Sequence, residues 1–461
     1  MDVLPAEHPK HYCTLEKKMP LMQMVPLFMK EENKEDYEPK VVSFGPYYHG
    51  NEKLKFVEDF KPTAVQMFIG DDMNEAVFIA AILGEIENVK KCYLEDIIYR
   101  YTDIQLAQMM LRDGCLILNY FGPNIAAEKS IKESQTTNHL GIAVYKSIRR
   151  DMYLLENQIP FLILEILVSW RYNTPRHSFI KKMEQDSFKM FFNGKNGMIE
   201  HAEAKDDLGK NPAHLLEIFR RVIVTGPDHD PILRDNKYGS CSVDEMLRRL
   251  EDGCGKCCKD DENEEWHGGQ YVFRSVTDLK SKGLYSKASG IKSLKGVRFS
   301  PTRFCRSAEL KLPLMYVDMY TRVFFKNMIA YEFSPNSHIT DKSVIGYVSF
   351  MKLLVVTKED VKEMRENRII INRLGSDDDV VQVYKDLNTY EAEDTSNFWT
   401  VKKNIENHYH SKIRTWMAEL RTTYFNNPWT IIALVASLFL LCLDIVQTYY
   451  SANPPSNGPS E

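Results

Sequence analysis

The chain has 461 residues, enough to bury a large core in two lobes or one big domain, and its 44% hydrophobic content is that of an ordinary globular protein. With 59 basic against 64 acidic residues, a formal net charge of −5 and no long basic tract, a nucleic-acid footprint is disfavoured, so no nucleic-acid partner is expected. Nine cysteines, an odd number scattered from Cys13 to Cys442, read as reduced thiols and not as a disulfide framework. Met1–Lys10 lacks the cationic start and apolar run of a secretory signal, and there is no N-x-Ser/Thr acceptor, so the body is expected in the cytosol.

In chain order, residues 11–35 are irregular, Met-rich and Pro-interrupted, an apolar lead-in expected to pack along a helical body. From Tyr37 to Gly50, Val41 and Val42 run through Ser43 and Phe44 into the turn dipeptide Gly45-Pro46, then Tyr47, Tyr48 and His49. This reads as a loop with a short extended start. It is either an aromatic binding loop displaying His49 or, as favoured, a buried turn with satisfied tyrosine hydroxyls. Phe78, Ile82, Ile86 and Val89 predict an amphipathic helix over 74–92, and a second helix is predicted over 103–120, where Gly114 permits a close helix contact or marks a break. Asp113 and Cys115 in that run could act as acid and nucleophile, but no base sits at a recognisable spacing and a buried core cysteine is the commoner outcome.

Residues 151–168 are the most apolar stretch of the body, split or kinked at Pro160, whose ring removes a donor and clashes with the carbonyl four residues back. The half beyond Pro160 is apolar almost all round and belongs at the centre of a large fold. Leu155 leads into Glu156, Asn157 and Gln158, which are expected to bond backbone groups freed at the kink and not to do chemistry. Segment 171–240 is charged and turn-rich, with one helix around His214–Phe219.

Cys254, Cys257, Cys258 and His267 have part of a zinc-binding spacing, but a second Cys/His pair is missing and the run of acids between them reads better as a solvated linker. No metal or other cofactor is therefore expected. Alternation around Val297 and Phe299, and through Leu310, Leu312 and Leu314, predicts short edge or hairpin strands. Val344, Val348, Met351 and Val355 share one helical face. Thr357 and Asp360 form a predicted capping box, with Asn367 closing that helix in a left-handed conformation. Ser376 followed by three aspartates is a helix start carrying Val380, Tyr384 and Leu387, and a long helix is predicted from Val401 to Tyr424, ending at a hinge before Pro428.

From Trp429 to Tyr450 the chain is apolar enough to suggest a bilayer span, roughly 33 Å as a helix, through Leu434, Leu438, Phe439 and Leu443, with aromatic rings such as Tyr449 at its ends. Asp444 opposes insertion by at most ~3.5 kcal/mol, less than eleven Leu, Ile, Val and Phe side chains contribute. Lys402, Lys403, Lys412, Arg414 and Arg421 precede this run and no cation follows it, which predicts a tail anchor with the body on the cytosolic side.

The expected fold class is therefore mainly α: a large helical cytosolic body with a few short β-strands, plus one C-terminal transmembrane helix. Its expected parts are a helical lobe over 1–240, an acidic linker over 241–275, a mixed, mostly helical lobe over 276–425, the span over 429–450 and a disordered tail over 451–461. No P-loop, dinucleotide, hydrolase, metalloprotease or kinase signature is present, so no catalytic residue is named.

Val42-Ser-Phe-Gly-Pro-Tyr-Tyr-His-Gly50, Asp113-Gly-Cys115, Asp151 with Leu154 to Phe161, Gly296-Val-Arg-Phe299, Phe325 to Glu332 (with Asn327) and Asn427-Pro-Trp429 resemble, in order, the plant family called "domain of unknown function 247". The resemblance implies a mostly helical plant membrane protein with a C-terminal anchor and no established enzymatic activity, some grass members being associated with pollen-side self-incompatibility. Two departures stand out: Ala288–Lys295 lacks the family's acidic Glu-Leu, and Asp444 replaces a usual hydroxyl residue. The expectation is an interaction or signalling protein on the plasma membrane or an endomembrane, with membrane lipid and an unidentified protein as partners. The alternatives are a self-incompatibility determinant and a membrane-bound enzyme using His49, Asp113 or Cys115.

Overall fold

The computed structural model describes residues 21–121, 131–172, 176–192, 212–226, 275–301, 307–334, 341–390, 398–410 and 428–452. Two compact units, each discontinuous in sequence, divide the chain. The first comprises Met1–Ser187, Lys205–Arg221 and Val323–Lys342; the second comprises Phe188–Ala204, Val222–Arg322 and Ser343–Glu461. The Cys254, Cys257, Cys258 and His267 cluster, most of the expected linker and the 453–461 tail lie outside the described residues.

In the first unit the helix Asp103–Phe121 is central, packed by the helices Lys61–Ile69, Glu75–Gly84 and Phe161–Tyr172. Thr102 and Gln105 cap its start reciprocally: the Gln105 side chain accepts the Thr102 N–H at 2.9 Å and the Thr102 hydroxyl accepts the Gln105 N–H at 3.3 Å. Gly114 makes a close contact and no break, because a Cβ there would lie 2.5 Å from Cδ1 of Leu167. The helix expected over 74–92 does break, at Glu85, whose N–H turns back to the carbonyl of Ile82, leaving Glu75–Gly84 and Ile86–Lys90 as separate helices. Pro160 separates a turn region from a helix starting at Phe161, so no kinked helix forms. The Phe161 N–H, an orphan of the first turn, donates to the carbonyl of Ala213 at 2.8 Å. Tyr153, Phe219 and Phe324 close the core as a triangle of rings with centroids 4.5, 5.4 and 5.7 Å apart.

The second unit contains two small sheets. Strands β1 (Leu284–Ala288), β2 (Arg298–Pro301) and β3 (Ala308–Leu312) lie in the order β1-β3-β2, with β1 parallel and β2 antiparallel to β3. Strands β4 (Met315–Val317) and β5 (Ile370–Asn372) pair in parallel. Leu284, Leu310 and Leu312 bury one face of the larger sheet, the alternation a half-covered sheet requires.

The helix Ser343–Leu354 buries Val344, Val348 and Met351 as predicted, the Thr357–Asp360 capping box forms, and Ser376 starts the helix Asp377–Asp386 as expected, making a second capping box with Asp379. The left-handed residue after Lys358–Glu366 is Arg368, with φ 57°, and not Asn367, with φ −83°. Asn367 closes the helix through its side chain, whose Nδ2 donates to the carbonyl of Glu363 at 2.9 Å.

The expected bilayer span is corrected by the structure. A helix does form over Pro428–Ala452, and its Leu438, Phe439, Leu443 and Tyr449 side chains are exposed, yet among the described residues no helix is long and apolar enough to cross a membrane. Asp444, Gln447 and Thr448 fall together near the C-terminal end of that helix and interrupt its apolar run. The described fold is thus mainly helical with a few short strands.

Asp360 joins two helices of the second unit. Beyond its capping role it accepts the N–H and hydroxyl of Thr277, at 3.0 and 2.7 Å, fixing the start of the helix Val276–Ser281. Burial raises its carboxyl pKa, but the hydrogen bonds from Thr277 and Thr357 outweigh that and hold it below the ordinary value. A depressed carboxylate lends stability above its unfolded pKa and loses it as pH falls through the folded one. Asp360→Ala is therefore expected to lower unfolding stability in urea by about 3 kcal/mol at neutral pH, and by less as the buffer is taken into the acid range.

Candidate functional site

Sequence-singled residues converge in the first unit around the loop 37–50, which has no strand to pair with. Each of its inward N–H groups needs an acceptor, because buried orphan donors are costly. Asp151 supplies one carboxylate oxygen to three successive donors, Lys40, Val41 and Val42, at 2.9, 2.8 and 3.2 Å. Asn157 accepts the Phe44 N–H at 2.7 Å and returns its own amide to the carbonyl of Val42 at 3.1 Å. Asp113 takes the Gly45 N–H at 2.7 Å. Gly45 has φ +74°, and a Cβ there would meet the carbonyl oxygen of Gln158 at 2.6 Å, so only glycine fits. Ser43 and Pro46 are buried beside it.

Beneath the loop lies a charge cluster that the sequence reading did not name. Lys61 reaches Asp113 at 2.6 Å, the carbonyl of Ser43 at 2.7 Å and the carboxylate of Glu58, and both Lys61 and Asp113 are 1% exposed. The Ser43 hydroxyl donates to Glu58 at 2.5 Å, and His49 Nδ1 stands 3.9 Å from the other Glu58 oxygen. Burial pushes the Asp113 carboxyl up and the Lys61 ammonium opposes that shift. A signal for Lys61 was present: Lys61, Ala64, Val65 and Phe68 fall on one helical stripe, and a lone cation there must be paired.

A second cluster ties the lead-in segment to the same loop. Glu156 accepts the Val25 N–H at 3.0 Å, the Lys30 ammonium at 2.6 Å and the Tyr48 hydroxyl. Tyr47 donates to the carbonyl of Met22 at 2.7 Å, so both tyrosine hydroxyls are satisfied, and burial raises both phenols. Gln158 bonds the carbonyls of Met152 and Leu154 at 2.7 and 2.8 Å, which is the backbone role expected of it. Asn327 accepts the Leu155 N–H at 2.9 Å and donates to the carbonyl of Asp36, while Glu332 pairs with Arg220.

His49, Asp113 and Cys115 do not assemble into a catalytic set. Asp113 and Cys115 are two positions apart on one helix and do not face each other. The Cys115 thiol is fully buried and burial holds its pKa well above the ordinary value, the wrong direction for a nucleophile. His49 is 36% exposed, rests edge-on against Tyr101 with centroids 5.9 Å apart, and connects to Asp113 only through Glu58 and Lys61. Among the described residues no group of three metal-binding side chains occurs. The arrangement fixes the loop through Lys61, Asp113, Asp151, Glu156 and Asn157, each committed to a backbone or ionic partner.

His214 is a fully buried titratable group of this unit. Its Nδ1 accepts the Glu217 N–H at 3.2 Å, capping the helix Leu215–Thr225, and its ring meets Tyr331 edge-on. Burial lowers its pKa to about 4, the Glu217 carboxylate acting the other way. Because the unfolded histidine titrates near ~6.5, the neutral ring contributes stability that is full above that pH and is lost as pH falls toward 4, about 3 kcal/mol in all. His214→Gln is expected to flatten this part of a stability-against-pH curve measured by chemical denaturation. Lys61→Met, which strands the buried Asp113 carboxylate and takes a cation from the half-buried Glu58, is expected to lower stability by about 3–5 kcal/mol, and adding Asp113→Asn is expected to recover part of the loss.

Comparison with known proteins places these features. The family described as plant protein of unknown function, DUF247, matches residues 22–443. The chain is similar to the UPF0481 protein At3g47200 of Arabidopsis thaliana, 27% identical over 442 residues, which is 90% of this chain and 83% of that protein. It is also similar to the putative UPF0481 protein At3g02645 of the same plant, 24% identical over 183 residues, covering 39% of this chain and 33% of that one. No solved structure is a significant match. Matched from the lead-in segment through to the C-terminal helix, the chain belongs to the DUF247 family of plant proteins of unknown function.

Proposed function

We propose that the protein is a non-catalytic interaction protein, its first unit presenting the rigid outer side of the loop 37–50 to another protein. The observation that carries this reading is the commitment of the candidate acids. Asp113, Asp151 and Glu156 each accept backbone N–H groups of a remote segment, at 2.7 to 3.2 Å, and Asp113 and Glu156 also hold lysines. A general acid or base must instead offer a lone pair or proton to a reacting atom. The outward end of the loop, at His49 and Gly50, is exposed and backed by these bonds, so a partner would meet a surface already ordered.

Proximity labelling in plant tissue with the full chain, compared with the Cys115→Ala and His49→Ala variants, tests the reading. Cys115→Ala is expected to leave the labelled set unchanged, while His49→Ala alters it at the loop. A turnover measured on plant extract that disappears in either variant, with the melting temperature preserved, would make the protein an enzyme and sink the proposal.

A further inference from the structure

The exposed face of the three-stranded sheet in the second unit carries a row of like charges. Lys287 on β1 is in register with Lys311 on β3, and Lys311 is in register with Arg298 on β2. Paired residues share a face, so three cations stand side by side at ~4.8 Å per strand, a row about 10 Å long. The opposite face holds Leu284, Leu310 and Leu312 in the core. Like charges directly opposite one another on a sheet destabilise it. Only one of the three has a described counter-ion: Lys287 reaches Glu309 at 2.5 Å, leaving two positive charges in excess. The Nη2 of Arg298 is shielded from water and has no hydrogen-bond partner among the described residues. Lys311 and Arg298 are half-buried, so their charges are less screened than those of a fully solvated face.

We propose that this row is a docking surface for a phosphorylated segment of another protein. The claim rests on the interaction reading above and names the chemistry of one partner. A phosphate monoester brings nearly two negative charges and three acceptor oxygens, which match the uncompensated charge of the row. Nucleic acid fits less well: a row of about 10 Å meets few phosphates, and the chain as a whole carries −5.

Fluorescence anisotropy on the full chain tests this with a labelled phosphoserine peptide, its unphosphorylated form and a single-stranded RNA. The expected result is saturable binding of the phosphopeptide that weakens with added salt, exceeds that of the unphosphorylated peptide, and drops about tenfold or more in Lys311→Glu and in Arg298→Gln. Lys311→Glu removes a like-charge opposition and is expected to melt no lower than the parent, so lost binding will not reflect unfolding. Equal binding of the two peptides, binding unchanged in both variants, tighter binding of the RNA, or no binding at all would overturn the proposal. Any of these would leave the wider interaction reading intact, since proximity labelling through the loop 37–50 is read in the other unit.

Discussion

The first unit depends on an ion pair withheld from water. Lys61 and Asp113 meet at 2.6 Å with almost no exposure, and an isolated pair of that kind does not repay its desolvation. It is tolerable because the remaining valences are filled: Lys61 also gives protons to the carbonyl of Ser43 and to Glu58, and Asp113 also takes the Gly45 N–H. These extra partners all lie in or beside one loop. Pairing the charges and fixing the loop are therefore a single event, and neither can be removed without stranding the other.

Much of the fold was legible because it obeys local rules. The central helix, the Thr357–Asp360 capping box, the helix start at Ser376 and the apolar face of Ser343–Leu354 follow from spacing and from side chains that bond their own helix ends. The strands β2 and β3 announced themselves by alternation, while β1, β4 and β5 did not: β4 and β5 have three residues each, too few to show a period, and β1 buries the polar Ser286 at its middle position. The break at Glu85 was missed because apolar spacing continues across it; the helix stops on a hydrogen bond and not on a pattern.

The site was legible by resemblance more than by chemistry. Asp113, Asp151, Glu156 and Asn157 stood out as residues, but their partners lie from 68 to 131 positions away, and nothing in a linear reading says which remote N–H a carboxylate will take. Their roles also go beyond the local repair expected at Pro160: Gln158 bonds the carbonyls of Met152 and Leu154 and Asn157 that of Asp151, but Glu156 and Asn157 also reach the lead-in and the loop. The C-terminal helix was misjudged in the opposite way. Hydropathy summed over a window predicts how a segment partitions, but a span also needs unbroken apolar length, and Asp444 with Gln447 and Thr448 shortens it.

Both units solve one problem with one device. A segment that must pack without strand partners leaves a series of donors to be met, and a single buried carboxylate can meet several because it offers about four lone-pair sites. Asp151 does this for Lys40, Val41 and Val42; Asp360 does it for Thr277 and Thr357. In each case the acid sits at the end of a helix or within its first turn, so a rigid element positions the oxygen and the loop conforms to it. Acids used in this way are as buried and as perturbed as catalytic ones, and burial or pKa alone cannot separate the two. The separation comes from where the lone pairs point: toward N–H groups of the protein's own backbone they staple the fold, and only a lone pair left facing a substrate can take part in a reaction.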